Sequence, residues 1–183
     1  MTTLYLASKS PRRKYLLQQL GIEFEIVDTG IDEVPGTTEA SEDYVRRIAV
    51  EKAIAGKKSI SLDLPVLAAD TEVILDGRIL GKPADLDAAV AMLQSLSGRM
   101  HEVYTVVVLL QSDMKIVLNK NKVWFRQLGR EECEDYCRIC RPLDKAGSYG
   151  IQDKGAGFIR RLEGSFSGVM GLPLAETREL LRT

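Results

Sequence analysis

The chain has 183 residues, which is enough for one domain or two small lobes with a sizeable buried core. Its 25 Lys and Arg residues balance 26 Asp and Glu residues, and a net charge of -1 argues against nucleic acid or an anionic membrane as a partner. One histidine excludes a multi-histidine metal site, and three cysteines do not suggest a disulfide framework. No apolar run reaches the length of a membrane span or of a secretory signal, so we expect a cytoplasmic protein.

The N-terminal segment predicts a strand followed by a helix whose start carries two arginines. Residues 4–7 form an apolar strand, Ser10 suits an N-cap and Pro11 suits the first helical position. Arg12 and Arg13 then lie in the first turn, where the helix dipole is positive and backbone N–H groups lack acceptors. Two interpretations remain open: a solvated arginine pair, or a local site for a polyanion such as a phosphate chain.

The next segment contributes a carboxylate and a lysine. Alternation over residues 22–26 predicts a strand, and the polar stretch after it places Glu33 beside a turn as a loop carboxylate. A helix follows with Ser41 as its expected N-cap, and its apolar stripe runs from Ile48 into Lys52. The Lys52 ammonium either reaches water along the core edge or points into a cleft towards an anion.

A buried strand and a hairpin carry the next candidates. The continuous apolar run 65–69 predicts a strand buried on both faces, which ends at Asp70 and Thr71. Asp-Gly at 76–77 predicts a two-residue hairpin, whose outward count places Lys82 opposite Thr71. An acid at the end of a buried strand is typical of a functional site, which makes Asp70 the main candidate.

The second half of the chain is interpreted mainly as scaffold. Asp85 is expected to cap a helix that runs to residue 96, and His101, without a second histidine, is expected to be structural. Strands are predicted at 103–109, 115–118, 123–125, 158–159 and 169–170, and helices at 131–140 and 174–181.

Three cysteines at 133, 137 and 140 allow two interpretations. Their spacing matches the cluster ligands of iron–sulfur radical enzymes that use S-adenosylmethionine, which predicts a brown, iron-containing protein. The same spacing is a helical apolar stripe, and free cysteine packs as a small hydrophobe. We favour packing, because the chain is short for such an enzyme and the cysteine motif does not follow an early strand.

The loop over residues 142–152 is the second informative stretch. Its two glycines permit close backbone approach to a ligand, and the Asp144 carboxylate can help to hold a cation. The Gln152 amide offers both a donor and an acceptor, which suits reading the edge of a nucleobase.

Six short motifs follow one another along nearly the whole chain. They are Ser8-x-Ser10-Pro11-Arg12-Arg13, Glu33, Glu51-Lys52-Ala53, Ala69-Asp70-Thr71, Gly81-Lys82-Pro83 and Asp144-Lys145-Ala146-Gly147-x-Tyr149-Gly150-Ile151-Gln152. In this order they resemble the Maf family of nucleoside triphosphate pyrophosphatases. No single motif is decisive, but the ordered set is highly specific.

The resemblance implies an α/β fold related to the inosine triphosphate pyrophosphatases. We expect one domain over residues 1–183, with an elongated mixed β-sheet, flanking helices, and two lobes with a central cleft. The resemblance also implies a homodimer, a divalent metal (Mg²⁺, Mn²⁺ or Co²⁺) and hydrolysis of a nucleoside triphosphate to the monophosphate and pyrophosphate. The late loop resembles the branch that acts on dTTP and UTP, including modified uridine nucleotides.

Site roles are carried over from the resemblance residue by residue. The expected catalytic residues are Asp70, Glu33, Lys52 and Lys82. The expected substrate-binding residues are Ser8, Arg12, Arg13, Thr71 and Gln152. Metal binding is expected at Asp70 and Glu33.

Some questions stay open at this point. Asn121 and Asp153 depart from the family pattern, and their effect on base preference is undecided. The alternative function is a non-catalytic nucleotide-binding regulator of cell division. An enzyme of this family would serve either in cleansing the nucleotide pool or in growth control.

Overall fold

The computed structural model describes residues 3–182, which form a mixed α/β fold. The α-helices are Pro11–Gln19 (α1), Ser41–Lys58 (α2), Leu86–Leu96 (α3), Arg130–Cys140 (α4), Phe166–Met170 (α5) and Leu174–Leu180 (α6). The strands are Leu4–Leu6 (β1), Phe24–Ile26 (β2), Val66–Leu75 (β3), Arg78–Ile79 (β4), Met100–Leu110 (β5), Met114–Phe125 (β6) and Ile159–Glu163 (β7). Short 3-10 turns lie at Ala146–Ser148 and Lys154–Phe158.

The strands form one seven-stranded sheet in the order β2-β1-β3-β5-β6-β7, with β4 paired to β3. Strand β1 runs parallel to both β2 and β3, whereas the β3–β4 and β6–β7 pairs are antiparallel. The predicted α/β class with a mixed sheet and flanking helices is therefore confirmed. Among the helices described in residues 3–182, none combines the length and apolar character that crossing a bilayer requires.

The chain divides into two compact units. Among the described residues, the first comprises 3–70, Thr105–Asn119 and 171–182. The second comprises Thr71–Tyr104 and Lys120–Met170. The expected arrangement of one domain with a central cleft stays a prediction.

In the first unit, α2 packs closely on the start of the sheet. A Cβ added to Gly56 would lie 3.0 Å from the Ala7 Cβ and 3.1 Å from a Val66 methyl, so only glycine allows this approach without a shift of its neighbours. Ile48, Lys52 and Gly56 are all buried and lie on the same face of α2, because they are spaced by four residues. The packing at Gly56 therefore holds Lys52 against the sheet.

In the second unit, the predicted hairpin is present. Asp76 and Gly77 both have positive φ, 51° and 77°, as the two-residue turn requires, and Leu75 pairs with Arg78 as expected. Strand β4 ends at Ile79, and the Leu80 amide still donates to the Val73 carbonyl at 2.9 Å, so the expected position of Lys82 opposite Thr71 stays a prediction. Gly81 follows with φ 62°, and its carbonyl accepts a hydrogen bond from the Gly147 amide at 3.0 Å.

Several predicted boundaries differ from the structure for identifiable reasons. β3 continues through Asp70 as one strand, so this carboxylate lies within the strand rather than at its end. β6 likewise joins the two strands predicted at 115–118 and 123–125. Residues 169–170 belong to helix α5 instead of a strand. The N-cap of α2 is Ala40, one residue before the expected Ser41.

The single histidine lies in the apolar core of the second unit. His101 is 1% exposed, its Nε2 lies 2.8 Å from the Tyr149 hydroxyl, and its ring packs edge-on to Phe125 at 4.9 Å. Burial lowers the pKa of His101 from 6.5 to about 3, so the imidazole is neutral at physiological pH. This placement supports the structural role that the sequence predicts.

The buried imidazole predicts a pH-dependent stability. Since the unfolded histidine binds a proton below pH 6.5 and the folded one only near pH 3, stability is full above pH 6.5 and falls as the pH drops between these values. The slope from this group is at most about 1.4 kcal/mol per pH unit. Urea unfolding at a series of pH values between about 3.5 and 8 measures this slope. The His101→Gln variant should show a shallower slope, and an unchanged slope would contradict the neutral assignment.

Candidate functional site

At the centre of the candidate site, one ammonium group lies between two carboxylates. Lys52 Nζ is 2.7 Å from Asp70 Oδ1 and 2.6 Å from Glu33 Oε1. The Lys52 and Asp70 side chains are only 9% and 6% exposed, whereas Glu33 is 30% exposed. Three of the predicted site residues therefore meet in the first unit. Lys52 points into an acidic pair and does not extend to open water.

The two oxygens of the Asp70 carboxylate differ in their hydrogen bonding. Asp70 Oδ2 is buried and accepts no hydrogen bond from any group described in residues 3–182. A buried carboxylate oxygen without a partner is costly, and such atoms commonly serve chemistry or a ligand. This oxygen is available to accept a proton or to bind a cation.

The donor set at this position fits a hard divalent cation. Asp70 and Glu33 offer carboxylate oxygens, which Mg²⁺ and Mn²⁺ prefer to nitrogen or sulfur. Within the described part of the chain, no group of three or more His, Cys, Asp or Glu side chains is arranged to hold a metal ion. Two carboxylates suit Mg²⁺, which commonly takes its remaining ligands from water and substrate phosphates.

The turn between β1 and α1 is held by a buried arginine. Ser10 caps α1 by accepting from the Arg13 amide, as predicted, and the Ser8 hydroxyl accepts from the Ser10 amide at 3.2 Å and from Arg13 Nη1 at 3.3 Å. Arg13 Nε donates to the Gly171 carbonyl at 2.9 Å, and Arg13 is only 9% exposed. The interpretation of a solvated arginine pair is therefore wrong for Arg13, and the neighbouring Arg12 is half-buried.

Parallel pairing brings this turn to the region of Asp70. Leu6, the last residue of β1, pairs with Leu67 of β3, and the Ala7 amide continues the ladder by donating to the Leu67 carbonyl at 2.8 Å. Ser8 follows directly, while β3 runs on to Asp70. The two strands therefore carry the serine turn and the buried carboxylate towards the same edge of the first unit.

The remaining predicted residues belong to the second unit. Thr71 is half-buried in β3, Lys82 is exposed just after Gly81, and Gln152 is exposed between the two 3-10 turns. Their predicted substrate roles stay predictions.

The loop that carries Gln152 is anchored by its neighbour Asp153. Asp153 Oδ1 accepts from the Gly155 amide at 2.9 Å and from the Tyr136 hydroxyl at 3.1 Å, and the same hydroxyl accepts from the Gly150 amide. A Cβ on Gly155 would lie 2.6 Å from the Gly150 carbonyl oxygen, so the loop closes tightly on itself. Asp153 thus has a structural role, and its effect on base preference stays open.

Asn121, the other departure from the family pattern, is also built into the scaffold. Its side chain is buried, donates to the Val103 carbonyl at 3.2 Å and accepts from the Ser165 amide at 2.6 Å. These bonds join β5, β6 and the turn before α5. Its effect on base preference likewise stays open.

The cysteines of α4 pack in the second unit. Cys133 and Cys137 are buried in its apolar core, and Cys140 is half-buried beside it. Burial raises the pKa of the Cys137 thiol to about 11 and also raises that of Cys133. These environments disfavour the thiolates that an iron–sulfur cluster needs, which supports the packing interpretation.

Arg47 contacts the site region, although no sequence pattern predicted a role for it there. Arg47 on α2 binds Glu39, Glu51 and the Val34 carbonyl, and it thereby contacts the segment that carries Glu33. The Arg47–Glu51 spacing of four residues was visible as a helical ion pair, but the contacts with the segment before α2 had no sequence signal.

Comparison with known proteins agrees with the family resemblance that the six motifs indicate. The family model described as Maf-like protein matches residues 3–183. The chain belongs to the Maf family. A dTTP/UTP pyrophosphatase from Methylococcus capsulatus is 51% identical over 180 residues, which cover 98% of this chain and 89% of the relative. The dTTP/UTP pyrophosphatase of Escherichia coli K12 is 50% identical over 182 residues, covering 99% and 92%.

Among solved structures, a dITP/XTP pyrophosphatase from Mycobacterium abscessus aligns with a TM-score of 0.49 and 18% identity, over 98% of this chain and 93% of that one.

Removing the Lys52 ammonium from its contacts with Asp70 and Glu33 should destabilise the fold strongly. Lys52→Met leaves Asp70 buried without a counter-charge and should lower the free energy of unfolding by about 3–5 kcal/mol at neutral pH. The control is Lys57→Met on the same helix, because the Lys57 partner Asp63 is 95% exposed and the pair contributes at most about 1 kcal/mol. Urea unfolding without added metal measures both, and equal losses would contradict the role of Lys52 as counter-ion.

Proposed function

We propose that the chain hydrolyses dTTP and UTP, with modified uridine triphosphates, to the monophosphate and pyrophosphate. The observation that carries the proposal is the buried contact of Lys52 with Asp70 and Glu33. Support also comes from two relatives named dTTP/UTP pyrophosphatase, which are 51% and 50% identical to this chain over 89% and 92% of their own length.

In the proposed reaction, water adds to phosphorus at the α–β anhydride and pyrophosphate leaves. Asp70 either accepts the proton of this water through Oδ2, the oxygen that no described group occupies, or binds the metal ion there. Lys52 donates to the other oxygen, Oδ1, and so fixes the orientation of the carboxylate. The ammonium also offsets negative charge beside the triphosphate.

The proposal includes a divalent cation, Mg²⁺, Mn²⁺ or Co²⁺, held by Asp70 and Glu33. Such an ion supplies Lewis-acid stabilisation of the charge that develops on phosphate oxygens. The chain's own contribution is the pair of carboxylates and the ammonium that balances them.

The phosphates and the base are assigned to further predicted residues. Arg12 and Lys82 provide cations for the phosphates, while Arg13 acts largely through Ser8, whose hydroxyl it binds. Gln152, with Ser8 and Thr71, is proposed to shape the nucleotide pocket and to select the base.

We also propose that the protein acts as a cytoplasmic homodimer whose partner molecules are nucleotides rather than nucleic acids or membranes. Hydrolysis of unwanted pyrimidine nucleotides would cleanse the nucleotide pool. A non-catalytic regulator is the competing function, and it would bind UTP without metal-dependent release of pyrophosphate.

Removing the proposed proton acceptor should stop the reaction. Asp70→Asn keeps the side-chain shape but removes the charge and the basic oxygen, so pyrophosphate release from UTP should fall by about a thousandfold or more. Asp63→Asn is the control, because Asp63 is 95% exposed and lies outside the site. Circular dichroism should show both variants folded. Near-normal turnover of Asp70→Asn would overturn the assignment.

Substrate choice is tested by pyrophosphate release across ribo- and deoxyribonucleoside triphosphates with Mg²⁺, Mn²⁺ and Co²⁺ in turn. We expect kcat/KM for dTTP and UTP to exceed that for the purine nucleotides by about tenfold or more, because a base read by hydrogen bonds excludes other edges. Gln152→Ala should reduce this preference more than it reduces turnover. An equal rate with every base would contradict the dTTP/UTP assignment.

A further inference from the structure

The segment between β2 and α2 carries Glu33 but has little structure of its own. Residues 27–40 contain no helix or strand, and most of them are exposed. A carboxylate that takes part in a reaction must nevertheless be held to within about 0.5 Å of its working position. The Lys52 contact fixes only the end of the Glu33 side chain, so the backbone of the segment needs a separate anchor.

Arg47 of α2 provides contacts of this kind. Its Nε and Nη2 each donate to one oxygen of Glu39 at 2.7 Å, which makes a two-point ion pair. Arg47 Nη2 also donates to the Val34 carbonyl at 3.1 Å, one residue beyond Glu33. Glu39 in turn accepts from the Gly36 amide at 3.0 Å. One guanidinium thus binds the segment at two places, directly and through Glu39.

The arginine is itself well fixed on the helix. Its Nη1 donates to Glu51 at 3.1 Å, one turn further along α2, and its guanidinium lies 5.4 Å from the centre of the Tyr44 ring. Lys52 is five residues after Arg47 on the same helix. The contacts with Val34 and with Glu33 therefore come from one rigid element.

The ion pair persists over the whole working pH range. The Arg47 guanidinium, with the Gly36 amide, lowers the pKa of Glu39 to about 2, so that Glu39 stays ionised. The neighbouring Arg46 differs clearly, because its ion pair within residues 3–182 is a contact of 3.4 Å with Glu42 on its own helix. Arg46 and Arg47 therefore form a natural pair of control and test residues.

We infer that Arg47 is a positioning residue for the reaction, which holds the 27–40 segment on α2 so that Glu33 reaches Lys52 and the site at Asp70. The inference rests on the proposed function. The planar fork is essential to it, because a lysine carries the same charge but cannot bind both oxygens of Glu39 and the Val34 carbonyl in the same geometry.

The kinetic test compares Arg47→Lys with Arg46→Lys in UTP hydrolysis. We expect kcat/KM to fall about tenfold for Arg47→Lys, mainly through kcat, and less than about twofold for Arg46→Lys, since small misplacements of reacting groups are costly. In a Glu33→Gln background, Arg47→Lys should add less than about a twofold loss, because its effect passes through Glu33. If Arg47 acted independently of Glu33, the losses of kcat/KM from Arg47→Lys and Glu33→Gln would multiply in the double variant. That result would overturn the inference.

Hydrogen exchange gives a readout that needs no turnover. Arg47→Lys should speed amide exchange in peptides covering residues 28–40 by about fivefold or more, while peptides from the middle of α2 exchange as in the wild type. Arg46→Lys should leave the segment unchanged. Equal amide exchange of the segment in both variants would overturn the inference. If the wild-type protein released no pyrophosphate, the proposed function would be overturned, and with it the role of Arg47 in the reaction.

Discussion

The burial of Asp70 and Lys52 constrains much of the first unit, because each buried charge is strongly destabilising when its partner is removed. A carboxylate taken out of water costs several kcal/mol unless it is paired, and the pairing works only if the ammonium arrives at hydrogen-bond distance. The close packing of α2 at Gly56 on Ala7 and Val66 fixes the distance between helix and sheet. The ion contact and the apolar packing therefore depend on the same position of α2.

Helix α2 also organises the least regular part of the unit. Lys52 holds the side chain of Glu33, and Arg47 holds the backbone beside it. A segment without regular structure loses much conformational entropy when it is ordered, and charged bonds from one rigid helix offset that loss locally. Such an arrangement lets a loop contribute a carboxylate without a strand or helix of its own.

Much of this architecture could be predicted from the sequence where local patterns decide. Local sequence patterns correctly predict the N-cap at Ser10, the turn at Asp76 and the buried strand that leads to Asp70. The continuation of β3 was missed, because the polar residues Asp70 and Thr71 and the following glutamate look like the end of a strand when their burial is unknown. The Arg47–Glu39 pair was missed for a different reason: its partners are eight residues apart across a loop, where no periodicity applies.

The helix α4 has a practical consequence that follows from its three thiols. Two of them, Cys133 and Cys137, are buried, and burial raises their pKa, so they supply little thiolate for alkylation near neutral pH. Cys140 is partly accessible at the end of the helix. The natural chain thus already carries one preferred attachment point for a fluorescent or spin label in its second unit, and distance measurements from it require no cysteine to be engineered there.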